Sequence, residues 1–302
     1  MTDQRRGFLL GASAYGMWGL FPLYWPLLEP AGALEILAYR VLFSMVTIGL
    51  LVLLLGRWGR VVAVVRDRRT FSLLAVAAFV ITFNWATYIY GVNNGKVVET
   101  SLGYFINPLV TVLMGVLILG ERLRRLQWVA LGVASLAVVV LTLDYGRPPW
   151  VAIALAFTFG TYGLAKKSAN VEPVESLAVE TTLIAPFAAT YVAVLALAGQ
   201  ASCGAHGAGH AALLASAGVA TAIPLICFGA AAIRVSMVTL GLLQYLAPVL
   251  QFALGVLYFH EDMPAGRWAG FALVWVALVL FTAEAVSHRR RQLRLTAVAS
   301  AL

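Results

Sequence analysis

The sequence predicts an all-α membrane protein, with ten transmembrane helices arranged as two inverted five-helix repeats. Three observations carry that expectation. Hydrophobic residues fill 62% of the 302 positions, the mean hydropathy is +0.90 and charged residues are only 11%. Soluble domains run at roughly 45–50% apolar and about 25% charged. The few charges fall in clumps between long apolar runs, and the second half of the chain repeats features of the first at an offset of 140 positions.

Crossing roughly 30 Å of hydrocarbon takes about 20 largely apolar residues. Ten segments meet that need, at 7–28, 33–55, 71–93, 98–119, 125–143, 148–166, 176–198, 211–232, 238–259 and 266–286. The first follows Arg5 and Arg6 and is longer than the apolar core of a signal peptide. Its small residues (Gly11, Ala12, Ser13, Ala14) lie near its start and not at a cleavage site, so it reads as a retained span. The sixth opens at Pro148-Pro149, and the eighth is rich in Ala and Gly. Strands are not expected, because lipid leaves open sheet edges without hydrogen-bond partners and the runs lack a barrel's alternation.

Orientation follows from Lys and Arg. Arg5, Arg6, the Arg57–Arg69 group, Arg122, Arg124, Arg125, Lys166, Lys167, Arg234 and the Arg289–Arg294 group make 17 on one side of the ten-span reading. Lys96, Arg147 and Arg267 make three on the other, and Arg40 lies inside a span. The bias predicts a multi-pass bacterial inner-membrane protein with both termini in the cytoplasm. It also accounts for the net charge of +8 without nucleic acid, since no recognition motif accompanies it. Cys203 and Cys227 predict no disulfide. The Gly/Ala-rich loop carrying Cys203, His206 and His210 is too flexible to hold ligands rigidly, so neither metal nor cofactor is expected.

The repeat aligns Pro108 with Pro248, Gly115 with Gly255, Glu121 with Glu261 and Trp128 with Trp268; at an offset of 144, Gly16–Leu20 matches Gly160–Leu164. The halves are 1–143 and 144–288, followed by a basic cytoplasmic tail, 289–302. Five spans per half is an odd number, so the second half enters the membrane inverted, a design that places a site near the midplane.

Polar residues inside spans mark the candidate site. Arg40 lies in the second span with Ser44 and Thr47 on its face, and the 140 offset sets Glu180 opposite it. Two readings stay open: a fixed ion pair between halves, or a switchable charge pair or substrate-anion and proton site. Asn84 shares a helix face with Tyr88 and Gly91, and Glu99, Gly103 and Asn107 form an i, i+4, i+8 stripe. Pro108 and Pro248 each remove a backbone donor and predict kinks whose freed carbonyls need a partner or a wet cavity. With Tyr104 before one and Gln244 and Tyr245 before the other, the expectation is one central cavity lined by Trp18, Asn84, Tyr104, Asn107, Gln244 and Tyr245. Its ligand would be amphipathic more than a bare ion.

The segments Asn84-Trp85, Gly91–Asn94, Glu99, Ser101–Leu109, Gly120-Glu121-Arg122, Glu180-Thr181, Gln244-Tyr245 and Pro248 resemble the RarD family, EamA-type permeases of the drug/metabolite transporter superfamily. The resemblance spans about residues 7–286. It implies a ten-helix inverted-repeat carrier of the inner membrane, associated by name with chloramphenicol sensitivity or efflux, with each half EamA-like. Where that family usually has Gly-Glu after the ninth span, this chain has His260-Glu261.

The function expected is a secondary transporter moving small amphipathic metabolites or drugs by alternating access, coupled to protons, to a counter-transported solute or to nothing. Gly91–Lys96 is one residue short of a phosphate-binding loop and lies on the wrong side, so no ATP engine is visible. A passive channel or facilitator is the alternative. A membrane-embedded enzyme is disfavoured by the absence of any concentrated catalytic motif.

Overall fold

A computed structural model of the chain describes residues 3–119, 123–232, 234–235 and 243–299. Among these residues it is helical with no strand. The helices are α1 (Asp3–Tyr24), α2 (Ala33–Leu54), α3 (Trp58–Arg66), α4 (Arg68–Asn93), α5 (Val97–Leu119), α6 (Arg125–Tyr145), α7 (Trp150–Ala169), α8 (Pro173–Leu197), α9 (Gly207–Ala232), α10 (Leu246–Ala253) and α11 (Ala265–Ala299). A 3-10 turn, Trp25–Leu28, ends α1, and a π turn, Leu254–Tyr258, extends α10.

Among the described residues, six helices carry stretches long and apolar enough to cross a bilayer: α2, α4, α6, α8, Gly207–Phe228 of α9 and Ala265–Glu284 of α11. Leu54, Leu143 and Leu197 are 83%, 77% and 90% exposed on the outer surface, which suits hydrocarbon and not water. Short α3 was not anticipated. Its nine residues join α2 to α4 through Asp67, whose carboxylate accepts from Arg69 N and Thr70 N and so caps α4. The Thr70 hydroxyl and these amides hold the Asp67 carboxyl below its ordinary range.

One expectation needs correction. Pro248 sits in the first turn of α10 as described, where its missing N–H costs little, so the freed-carbonyl argument does not apply to it. Pro108 does lie inside α5. The 289–302 segment read as a tail continues α11 as far as Ala299. Residues 238–242, which open the predicted ninth span, and Glu121 lie outside the described residues.

The closest helix neighbours are α6 with α11, α7 with α4 and α5, α2 with α8 and α9, α1 with α9 and α10, α5 with α10 and α4 with α8. Apolar side chains between them form two large clusters. One surrounds Trp25, Ile36, Tyr88 and Leu155; the other surrounds Phe105, Leu141 and Phe271.

Candidate functional site

The Glu99–Gly103–Asn107 stripe faces α7. Glu99 Oε1 accepts from Val151 N at 3.1 Å and so caps that helix. Gly103 lets the Ala152 backbone approach so closely that a Cβ would lie 2.8 Å from its carbonyl oxygen. Asn107 Nδ2 donates to Ala156 O at 3.1 Å. From α4, Asn84 Nδ2 donates to Leu155 O at 3.0 Å and to Thr158 Oγ1 at 2.8 Å. Small residues let the helices meet and side-chain amides satisfy the neighbouring backbone, as in membrane helix pairs generally. Arg147 closes the end of the seam on Glu99 at 2.8 Å, and that hydrogen bond raises the Arg147 pKa.

Gly255 and Glu261 serve in a parallel way. Gly255 packs on Val98, and the Glu261 carboxylate accepts from Val97 N and Val98 N, capping α5. Burial raises the Glu261 carboxyl above its ordinary value, against these two bonds, which favour its ionised form. His260 takes φ +51, the left-handed conformation in which the resembling family has Gly.

The six residues expected around one cavity have different immediate neighbours. Asn84 and Asn107 serve the α7 seam. Tyr245 packs in the Phe105–Phe271 cluster, while Trp18 and Tyr104 pack in the Trp25–Tyr88 cluster. Gln244 lies half-buried in the turn before α10. The amide that reaches α1 is instead Gln251, which donates to Trp18 O at 3.1 Å.

Arg40 and Glu180 do not pair. Lys166 Nζ lies 2.7 Å from Glu180 Oε1, and the Ser176 and Tyr162 hydroxyls also donate to that carboxylate, at 2.6 and 3.3 Å. Arg40, 4% exposed, donates Nε to Thr221 Oγ1 at 2.9 Å. Its guanidinium carbon lies 3.9 Å from the centroid of Trp85 and 4.9 Å from that of Trp25. A small cavity lined by Val41, Trp85, Glu180 and Thr181 lies beside Glu180 and reaches the Trp85 ring on which Arg40 stacks. Tyr88 stood in the sequence only as a residue on the helix face of Asn84, and Thr221 carried no signal at all.

His210 donates Nε2–H to Leu28 O at 2.9 Å, and Ser202 donates N and Oγ to the buried Glu35 carboxylate at 2.7 and 2.8 Å. The loop after α8 is thereby pinned to α2. In reciprocal fashion, Arg57, just after α2, lies 3.3 Å from the buried Glu175 carboxylate of α8.

Comparison with known proteins adds three findings. The EamA-like transporter family matches residues 5–143. The protein named RarD of Streptomyces exfoliatus is 58% identical over 99% of this chain and 95% of its own length, and an uncharacterized transporter of Vibrio cholerae is 42% identical over 97% of each. A solved crystal structure, 20% identical, superposes with a TM-score of 0.59 over 93% of this chain and 98% of that one, a likeness of fold alone.

Proposed function

From the premise that this chain belongs to the RarD family of EamA-type permeases, and so is a multi-pass membrane transporter, we propose that it is a secondary carrier. It moves small amphipathic metabolites or drugs across the bacterial inner membrane by alternating access between two inverted five-helix halves. Both termini are cytoplasmic, as the Lys/Arg bias indicates.

The observation that carries this reading is the way the helices pack. Exchange α1 with α7, α2 with α8, α4 with α9, α5 with α10 and α6 with α11. The nine closest helix pairs among the described residues then map onto one another. Every one of them joins one half to the other, so rocking one half against the other would rework these interfaces together. The reciprocal pins also support it. Glu35 of α2 holds Ser202 after α8, and Glu175, its counterpart at offset 140, holds Arg57 after α2.

Purified protein in proteoliposomes tests the reading. A radiolabelled panel of drugs and amphipathic metabolites should give at least one flux that saturates and is accelerated by unlabelled compound on the far side. A flux that neither saturates nor responds to trans compound would mark a passive channel and end the carrier reading.

A further inference from the structure

We infer that Arg40 and the aromatic groups around it form a binding subsite for a carboxylate on an otherwise apolar or aromatic small molecule. The inference rests on the carrier reading and names the substrate class that such a site selects.

Among the described residues, Arg40 is a buried cation without a counter-ion. None of the ion pairs among the described residues includes it, and phenols of Tyr104, Tyr88 and Tyr24 lie in its surroundings. Glu180 is taken by Lys166, and Glu35, on Arg40's own helix, is taken by Ser202. The bond to Thr221 uses Nε alone, and neither terminal nitrogen has a hydrogen bond to any described residue. Two indole faces offset part of the charge. They leave the outer edge of the guanidinium fork without an acceptor, the edge that matches a carboxylate bidentately.

Other donors nearby are also unused. The Tyr88 hydroxyl and the Trp25 Nε1–H are buried with no hydrogen-bond partner among the described residues. Tyr88 is 4% exposed and Trp25 0%, so both donors lie out of reach of bulk solvent. Orphaned buried donors beside an uncompensated cation are what a site for an acceptor-only anion requires. The rest of the surroundings are rings. Trp18, Tyr24, Trp85 and Tyr104 pack in the same cluster as Trp25 and Tyr88, with Tyr104 5.7 Å from Tyr88 and Tyr24 5.0 Å from Trp25. Such walls accept an apolar body and offer too few polar groups to desolvate a phosphate or sulfate.

The test uses the purified full chain in detergent and three matched pairs: benzoate and benzamide, phenylacetate and phenylacetamide, 3-phenylpropionate and 3-phenylpropionamide. Binding is followed by titration calorimetry and tryptophan fluorescence. At least one acid should bind tenfold or more tightly than its amide, and in Arg40→Met that ratio should fall below two. If Arg40→Met does not fold, Arg40→Lys is measured instead, where loss of the fork should lower the ratio at least threefold. The inference is overturned if no acid binds saturably, if no acid is preferred over its amide, or if the preference survives substitution. Transport in proteoliposomes separates the two readings. An acid that binds through Arg40 but is never carried defeats the carrier reading alone; carriage of acids and amides without preference defeats the subsite alone.

Discussion

Replacing Gly103 by Ala probes the seam between α5 and α7. The added Cβ would lie 2.8 Å from Ala152 O, 2.9 Å from Leu155 Cβ and 3.1 Å from Ala152 Cα, against an ordinary contact of 3.4 Å or more. Two of these three atoms are backbone, so no side-chain rotation relieves the overlap and α7 itself must shift. Overpacking of this kind costs about 1–3 kcal/mol. The shift also strains the Glu99–Val151 and Asn107–Ala156 hydrogen bonds, and interhelical bonds in membranes average about 0.6 kcal/mol each. Against this, Ala in a helix interior gains roughly 0.5–1 kcal/mol over Gly. The expected balance is a loss of about 1–3 kcal/mol. Gly16 of α1 is the control, because a Cβ there meets nothing within 4 Å, and Ala should stabilise it by about 0.5–1 kcal/mol. Thermal unfolding in detergent, followed by tryptophan fluorescence, reads both. At about 2–4 °C per kcal/mol for chains of comparable size, Gly103→Ala should melt several degrees below the wild type and Gly16→Ala slightly above it. A Gly103→Ala protein that melts at or above the wild type would refute the close-packed seam.

Further outcomes follow from the same contacts. In a double-mutant cycle, Glu180→Leu should couple to Lys166→Met by about 0.5–3 kcal/mol and to Arg40→Met negligibly; equal coupling would restore the pairing that the structure does not show. Glu99→Gln should lower the melting temperature more than Arg147→Gln, because Glu99 is 2% exposed and also caps α7, whereas Arg147 is 38% exposed. Parity between the two would remove the capping role. His260→Val should destabilise by about 1–2 kcal/mol, since φ +51 suits a β-branched residue poorly. His260→Gly should be tolerated, and a Val variant as stable as the Gly variant would count against the left-handed turn. In a cysteine-free background, an impermeant thiol reagent should label His206→Cys in intact cells and spare Asp67→Cys; the reverse pattern would invert the topology.

Much of this protein was legible before any coordinates. Solvation alone demands that apolar runs of this length become helices in lipid, so composition and charge spacing suffice for the class. The repeat of Pro108 and Gly115 at Pro248 and Gly255 is a sequence signal of a related kind, since rare residues in register survive the noise of apolar sequence, and the inverted halves proposed above rest on it. The suspicion attached to Arg40 also rested on cost, because a cation within a span requires compensation wherever it ends up.

Tertiary structure decided where that compensation comes from. The 140 offset set Glu180 against Arg40, but an offset in sequence equates positions and does not bring side chains into contact. Lys166, one helix back, reaches Glu180 first, and Arg40 turns onto Trp25 and Trp85. Helical spacing likewise put Glu99, Gly103 and Asn107 on one face without saying what that face meets. An amide or carboxylate that lines a cavity and one that clasps a neighbouring backbone have the same sequence, and only the position of α7 distinguishes them. Thr221, Ser202 and Arg57 find their partners across 181, 167 and 118 residues. Local pattern carries no information over such separations, because those contacts are fixed by how whole helices pack.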